Sequence, residues 1–379
     1  MFKLSKRSSQ LRPSPLAVFF RRVTELRHSG KNIISLGIGE PEAETPAVIR
    51  QAGITAIEEG NTRYIPVAGS RDVREILAKK YGALPEEVFV SHGAKSVLGI
   101  ALQCLLDQGD EVLIAAPYYP PFLEIVKFLS AKPVLVDTLP DGFRLTVRAL
   151  REVVDGQKLN PCALVINSPN NPTSVAYDRA ELELIMAFAK ERGITVVSDE
   201  CYSNFAPDRQ FTFRQVDPSA VVINSASKTY AMTGWRIGWA VGPKELVDRM
   251  ILYADNFVGC PGSVSERAVV EALSQSGIPD VTTQRAKVHS WLEKMGIEHV
   301  QAISGFYVFA NFSRFMQTSQ TCGSVALANH LLEEANVAVT PGVAFGEAYD
   351  EYLRLSFPLR VEDLEIALAK LEKALNQLR

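Results

Sequence analysis

The 379-residue sequence predicts an α/β fold with a mostly parallel, doubly wound sheet, followed by a smaller α+β domain. Three observations lead to this prediction. Short apolar runs alternate with longer segments of helical period between about residues 45 and 290. Runs such as CALVIN and ITVVS are apolar throughout, which is typical of strands covered on both faces. After about residue 285 the helical segments become longer and the strand candidates fewer.

The large domain is expected to contain seven strands joined by helices. In chain order the strand candidates are 88–91, 111–115, 133–136, 162–167, 194–198, 221–225 and 237–241. Helical patterns between them include 94–106, 119–129, 179–191 and 244–253. In the later part, strands are predicted at 306–310, 337–339 and 352–357, and an amphipathic helix at 361–378. We therefore predict an N-terminal arm at 1–44, a large domain at 45–285 and a small domain at 286–379.

Composition favours a small-molecule partner. The chain has 40 basic and 43 acidic residues, so its formal net charge is -3 and no cationic field indicates nucleic acid or an anionic membrane. No stretch approaches the ~20 apolar residues of a membrane span, and the apolar run 16–20 is too short for a signal-peptide core. An ordered N-terminal arm is predicted, with a mitochondrial transit sequence as the alternative. Five scattered cysteines without a C-x-x-C pair favour a reducing, cytoplasmic compartment.

The sequence matches neither of two common nucleotide-binding motifs, and its histidines do not have the spacing of a metal site. A dinucleotide fingerprint is not completed by segment 37–42, which lacks the third glycine, and no G-x-x-x-x-G-K-[ST] loop exists. The five histidines form no H-E-x-x-H motif and no close pair. We therefore predict no metal.

The polar residues that follow the predicted strands are the first candidates for a site, because ligands bind beyond the carboxyl ends of strands in open parallel sheets. These segments are 92–95, 117–119, 168–173, 199–202 and 225–228. Together they bring an amide, a carboxylate, a phenol, an aromatic ring, hydroxyls and an amine to one edge of the sheet.

Segment 225–236 (SASKTYAMTGWR) resembles the pyridoxal-phosphate lysine motif of the class I/II aminotransferases, the aspartate aminotransferase family with its type I fold. Five further segments fall in that family's order: Tyr64 before PVAG, NNPT at 170–173, SDECY at 198–202, PGVAFG at 341–346 and YLRLSF at 352–357. The resemblance implies a large domain with a seven-stranded mixed sheet and a small domain built from both ends of the chain, so that segment 1–44 contains the N-terminal arm and part of the small domain.

The resemblance also implies how pyridoxal 5'-phosphate is held and used. Lys228 would form the Schiff base and then act as general acid and base, since a lysine amine condenses with an aldehyde. Asp199 would keep the ring nitrogen protonated. Tyr202 and Asn171 would donate to the ring oxygen, and Tyr119 would stack on the pyridine ring.

The phosphate and the substrate have their own implied residues. The amides of Ala94 and Lys95, at a helix N-terminus, would bind phosphate oxygens together with Ser225 and Arg236. Tyr64 would reach the phosphate of the neighbouring subunit, which implies a homodimer.

Arg354 would clamp the substrate α-carboxylate in a bidentate pair, helped by Asn171 and a backbone amide near Gly39. The loop 37–41 would then close over the site with the small domain.

The predicted function is transfer of an amino group from an L-amino acid to a 2-oxo acid. Two alternatives stay open: other chemistry with the same cofactor, such as β- or γ-elimination or an oxidase-type or cyclising reaction, and a catalytically silent cofactor-binding protein. The substrate also stays open, because the helix after Lys95 carries no second lysine of the kind that some aspartate-accepting members use. Ser174 replaces the family's usual glycine, which leaves the local turn open, and Cys201 is expected to pack as a small hydrophobe.

Overall fold

A computed structural model describes residues 3–11, 15–205, 211–275, 280–301, 303–318 and 321–378. The helices are α1 (Lys6–Gln10), α2 (Pro15–His28), α3 (Ala47–Glu58), α4 (Arg71–Tyr81), α5 (Ala94–Leu105), α6 (Pro120–Phe128), α7 (Val147–Gly156), α8 (Arg179–Glu191), α9 (Phe213–Val216), α10 (Lys244–Phe257), α11 (Ser263–Ser274), α12 (Thr282–Met295), α13 (Ser324–Glu334) and α14 (Val361–Asn376). The strands are β1 (Ile34–Ser35), β2 (Val88–Ser91), β3 (Glu111–Ala116), β4 (Lys132–Asp137), β5 (Ala163–Asn167), β6 (Thr195–Asp199), β7 (Val221–Ser225), β8 (Gly238–Val241), β9 (Tyr307–Asn311), β10 (Val337–Ala338), β11 (Thr340–Pro341) and β12 (Tyr352–Ser356).

The seven strands predicted for the large domain form one mixed sheet in the order β2-β8-β7-β6-β5-β3-β4. Only β8 runs antiparallel to its neighbours, so the prediction of a mostly parallel sheet is confirmed. Where predicted and observed element ends differ, they do so by one to four residues; the helix predicted at 244–253, for example, continues to Phe257. Differences of one or two residues at element ends are ordinary.

Helices cover both faces of this sheet, which explains the fully apolar strands. Along β5, Leu164 and Ile166 pack into one hydrophobic cluster, whereas Ala163 and Val165 pack into another on the opposite face. Successive side chains of a strand point to opposite faces, so a strand buried on both faces must be apolar at every position.

Helix α8 has the bounds that the sequence predicts, because its start is fixed by a local signal. The Asp178 carboxylate accepts from the Glu181 amide at 2.9 Å, and the Glu181 carboxylate accepts from the Asp178 amide at 2.7 Å. This reciprocal pair is a capping box and satisfies two amides that lack helical acceptors.

The small domain joins both ends of the chain. β1 pairs in parallel with β10, so Ile34 lies opposite Val337, and β11, β12 and β9 form an antiparallel sheet. The boundary predicted at 285 lies inside α12, whose apolar residues Val288, Trp291 and Leu292 pack into the small-domain cluster. Of the helices in the described part of the chain, none is long and apolar enough to cross a membrane.

Candidate active site

A cavity of about 560 Å³ opens where the carboxyl ends of the central strands meet the small domain. It brings together eleven of the twelve residues proposed from the sequence: Gly39, Ala94, Lys95, Tyr119, Asn171, Asp199, Tyr202, Ser225, Lys228, Arg236 and Arg354. The twelfth, Tyr64, does not line this cavity, and its side chain is 97% exposed. The parallel topology explains the convergence, since each strand delivers the residues that follow it to the same edge.

Lys228 follows β7 and extends across the cavity to the opposite wall. Its Nζ donates to the Gly39 carbonyl at 2.6 Å, so the amine meets the loop that joins the arm to the large domain. Burial lowers the pKa of Lys228; Cys201 and Glu40 oppose this shift, and the cations Arg354 and Arg236 add to it. A lowered pKa favours the neutral amine, which is the nucleophilic form.

Asp199 ends β6 and is buried. One carboxylate oxygen accepts from the Cys201 amide at 3.0 Å, and the Asp199 carbonyl accepts from the Asn167 side chain at 2.7 Å. Burial raises the pKa of Asp199, and the charge of Lys228 opposes that shift. A buried carboxylate of this kind gains most from a cationic hydrogen-bond partner.

Two phenols meet deep in the cavity. The Tyr202 hydroxyl accepts from the Asn171 side-chain amide at 3.4 Å and lies 3.0 Å from the Tyr307 hydroxyl. Sequence reasoning missed Tyr307, because an aromatic residue in a predicted strand of the small domain is usually a core residue. Both rings are buried, and burial raises the pKa of both phenols.

The N-terminus of α5 forms the part of the cavity suited to a phosphate. Gly93 has φ +83°, and a Cβ there would lie 2.6 Å from Nη2 of Arg236. A Cβ on Gly238 would lie 2.5 Å from the Ala94 amide nitrogen. The two glycines therefore let β8, the guanidinium and the first amides of α5 come close together, and those amides have no acceptor within the helix. Ser225 lines the same cavity.

Arg354 lies on β12 at the opposite end and is 3% exposed. Its Nη1 donates to Oδ1 of Asn171 at 2.7 Å, and its Nη2 donates to the Gly37 carbonyl and to the Thr340 hydroxyl. These acceptors are neutral, and Nε has no hydrogen-bond partner among the described residues. A buried cation without a counter-charge is costly, so the geometry favours an anionic ligand here.

Two aromatic rings hold the guanidinium in place. The Arg354 Cζ lies 4.4 Å from the Tyr307 ring centroid and 5.0 Å from that of Phe345. Burial lowers the pKa of Arg354, while the neighbouring phenols act in the opposite direction, and no carboxylate of the described residues takes part. The arrangement therefore favours an anionic ligand that supplies the missing counter-charge.

The loop of the N-terminal arm closes the cavity. A Cβ on Gly37 would lie 2.8 Å from the Phe20 ring, and a Cβ on Gly39 would lie 2.1 Å from the Tyr307 hydroxyl oxygen. The Glu40 carboxylate accepts from the Thr233 hydroxyl. Leu16 and Phe20 of α2 also line the cavity. The sequence gives no sign of this role for the α2 residues, because apolar residues at helical spacing are usually core residues.

The cavity is lined by more basic than acidic side chains. Among the described residues that line it, Lys95, Lys228, Arg236 and Arg354 are basic, and Asp199 is the one carboxylate. This excess of basic groups favours an anionic ligand. In the same described part of the chain, no cluster of three or more histidine, cysteine, aspartate or glutamate side chains could hold a metal ion.

Known proteins share this architecture. The family model described as aminotransferase class I and II matches residues 31–371. A probable aspartate/prephenate aminotransferase of Aquifex aeolicus is 35% identical, with 99% of each chain covered. The aspartate aminotransferase of Geobacillus stearothermophilus is 33% identical, with 98% of each chain covered. The solved structure of Thermus thermophilus aspartate aminotransferase with maleate is 33% identical and has a TM-score of 0.91, covering 99% of this chain and 100% of the other.

The seven-stranded mixed sheet with its small domain is the type I fold of the aspartate aminotransferases. The chain belongs to the class I and II aminotransferases. It is an enzyme that transfers amino groups, as the sequence predicts. None of these comparisons supports the alternatives of elimination, oxidase-type or cyclising chemistry, or of a silent binding protein.

Proposed function

We propose that the cavity binds pyridoxal 5'-phosphate on Lys228 and transfers an amino group from an L-amino acid to a 2-oxo acid. The observation that carries this proposal is the buried Arg354, a cation without a carboxylate partner, at one end of a cavity whose other end is a helix N-terminus. When bound, the cofactor supplies an aldehyde carbon for the amine and a ring that takes up electrons from the substrate α-carbon.

The chain's own groups divide the remaining work. Lys228, whose lowered pKa favours the free amine, would receive and return the proton of the substrate α-carbon. Asp199 would hold a proton at the ring nitrogen, since its burial favours pairing with a cation. Tyr202 and Asn171 would donate to the ring oxygen, and Tyr119 would pack against the ring. The α5 amides of Ala94 and Lys95, with Ser225 and Arg236, would bind the phosphate.

The closed loop protects this chemistry from water. The Gly37 carbonyl accepts a hydrogen bond from Arg354, and the Gly39 carbonyl accepts one from Lys228. The loop therefore contacts both groups that the substrate would engage. Loop opening would admit the substrate, and its carboxylate would then replace neutral acceptors on Arg354.

Substrate choice can be narrowed by chemistry. The Lys95 ammonium lies 5.8 Å from the Tyr119 ring centroid inside the cavity, where it could meet a second carboxylate. Relatives are named for aspartate and prephenate, which each carry two carboxylates in the relevant half-reaction. We therefore propose L-aspartate as the first donor and prephenate as the first acceptor to examine.

A spectroscopic half-reaction tests the function. The protein loaded with pyridoxal phosphate should show a visible absorption band that disappears with an amino donor and returns with a 2-oxo acid. Lys228→Ala should lose both the band and turnover, whereas Lys190→Ala, at a 77% exposed lysine of α8, should retain both. If Lys228→Ala kept the band and the activity, the assignment of Lys228 would be wrong.

We further propose a homodimer in which Tyr64 completes the neighbouring site. The 97% exposure of Tyr64 supports this, as does the exposure of the apolar side chains Leu252, Phe257 and Val258. Chains carrying Tyr64→Ala should regain activity when refolded together with Lys228→Ala chains, to about a quarter of the wild-type level, because half of the dimers would contain one intact site. If both variants were inactive alone and no activity returned on mixing, a shared site would be ruled out.

A cytoplasmic location and a role in amino-acid biosynthesis stay predictions.

A further inference from the structure

Tyr307 connects the two functional ends of the cavity. Its ring lies under the Arg354 guanidinium at 4.4 Å, and its hydroxyl lies 3.0 Å from the Tyr202 hydroxyl. The same hydroxyl faces Gly39, where a Cβ would lie 2.1 Å away. The residue therefore contacts the carboxylate clamp, the proposed donor to the cofactor and the closing loop.

Counting the available protons indicates which of the two phenols donates the hydrogen bond. Tyr202 has one proton, and it can donate that proton either to Tyr307 or into the cavity. Asn171 already donates to Tyr202 from its side-chain amide. If Tyr307 also donates, the Tyr202 proton is left to point into the cavity. The guanidinium of Arg354 over the Tyr307 ring makes Tyr307 the more acidic of the two phenols and hence the better donor.

We propose that Tyr307 is a positioning residue, whose hydroxyl donates to Tyr202 and so directs the Tyr202 proton toward the cofactor ring oxygen. The inference rests on the proposed function, since it assigns a role toward pyridoxal phosphate. It also makes the carboxylate clamp part of the same network, because Arg354 sets the donor strength of Tyr307.

Ser174 has a part in this arrangement. It has φ +58°, and its hydroxyl accepts from the Tyr307 amide at 3.0 Å. A Cβ on Gly305 would lie 2.3 Å from the same hydroxyl oxygen, so the serine packs tightly against the chain that leads to Tyr307. The serine that replaces the family's usual glycine thus fixes the start of β9 and, with it, the position of Tyr307.

The test is a pH titration of the visible band in the protein loaded with pyridoxal phosphate. Donation from Tyr202 stabilises the anionic ring oxygen, so weakening it should raise the titration midpoint. Tyr307→Phe keeps the ring beneath Arg354 and removes the hydroxyl, and we expect its midpoint to rise by about 0.5 to 1 pH unit. The KM for the donor should change less than kcat, because the clamp is retained.

Two further variants test whether the midpoint shift is specific to the Tyr307 hydroxyl. Ser174→Gly suits the left-handed backbone and removes the hydroxymethyl side chain, including the hydroxyl that accepts from the Tyr307 amide, so it should give a smaller shift in the same direction. Tyr349→Phe removes a hydroxyl that bonds to Asp137 outside the cavity, and it should leave the midpoint unchanged.

A double variant tests whether Tyr307 acts through Tyr202. In a Tyr202→Phe background, Tyr307→Phe should add no further shift. An unchanged midpoint in Tyr307→Phe, or a full additional shift in the double variant, would overturn the inference while leaving the proposed function intact. A wild-type protein that forms no visible band would instead overturn the proposed function, and the inference with it.

Discussion

The two ends of the cavity hold their cations in opposite ways. At the α5 end, Arg236 is exposed and its guanidinium lies beside Gly93, next to the backbone amides at a helix N-terminus. At the β12 end, Arg354 is 3% exposed and lies between two aromatic rings, and within the described part of the chain it donates only to neutral oxygens. One end therefore distributes the positive charge over several donors, and the other concentrates it in one buried group.

The difference indicates which ligand each end is suited to. A phosphate dianion has several oxygens and can bind several moderate donors, so the loss of one is partly compensated. A carboxylate needs one planar, bidentate partner, and a buried guanidinium supplies it with high selectivity. Removing Arg354 should therefore affect the substrate strongly, and removing Arg236 should affect the cofactor moderately.

Arg354→Met should give the largest effect. The substrate carboxylate would be buried without a counter-charge, and we expect kcat/KM to fall roughly a hundredfold to several thousandfold. Cofactor affinity, measured by titration of the visible band, should change little. Arg354→Lys restores the charge without the planar fork and should recover only part of the activity. A comparable loss of cofactor affinity would contradict the division between the two ends.

Gly39→Ala should act through the closing loop. Its Cβ would lie 2.1 Å from the Tyr307 hydroxyl, so the loop must move away from both Tyr307 and Lys228. We expect kcat/KM to fall about ten- to a hundredfold, since misplacement by about 1 Å costs this much. Gly156→Ala is the matched control, because no atom of the described residues lies within 4 Å of the new Cβ apart from chain neighbours and the backbone of its own helix. If both alanine variants turned over at the wild-type rate, the loop would not need its observed closed position.

Arg236→Asn should weaken cofactor binding without abolishing it. Asparagine tolerates the left-handed backbone at φ +55°, so the variant removes the guanidinium with little strain. We expect the dissociation constant of pyridoxal phosphate to rise about tenfold, and this increase to shrink at high salt. At saturating cofactor, kcat/KM should stay within a few-fold of wild type. A collapse of kcat/KM under those conditions would mean that Arg236 serves the substrate as well.

Glu200→Gln should have the smallest effect on turnover and a clear effect on stability. Glu200 is buried next to Asp199, accepts from the Phe213 amide at 3.0 Å, and burial raises its pKa to about 7. Its stabilising contribution is therefore complete below the ordinary glutamate pKa and is lost as the pH rises through 7. Between pH 5 and 8, wild type should lose on the order of 1 to 3 kcal/mol relative to Glu200→Gln. Thermal unfolding of wild type and Glu200→Gln across this pH range measures the difference, and Glu58→Gln, at an exposed glutamate, is the control. If the stability of wild type and of Glu200→Gln changed in parallel with pH, Glu200 would be charged in the folded protein.

The sheet edge could be predicted from the sequence because each contribution is local. Asp199 and Ser225 end apolar strands, and Lys228 follows three residues later, so the strand pattern alone places them together. The first turn of α5 follows β2 in the same way. Parallel topology then converts separate local signals into one site.

The side of the cavity formed by the small domain and the N-terminal arm could not be predicted so directly. Arg354 and Gly39 follow from the family resemblance alone, and no local pattern singles out Tyr307, since its role depends on contacts with Tyr202 and Gly39, each more than 100 positions away. Phe20 lies in the N-terminal arm, where an apolar residue gives no sign that it packs on a loop glycine. Such long-range contacts follow from packing in three dimensions rather than from any local pattern.

Trapping the cofactor on the chain tests the central claim most directly. Borohydride reduction of the protein loaded with pyridoxal phosphate, followed by peptide mass analysis, should place the covalent adduct on Lys228, and an amino donor added beforehand should prevent its formation. An adduct on another lysine, or one whose yield the donor leaves unchanged, would contradict the assignment of Lys228 as the residue that binds the cofactor and yields it to the substrate.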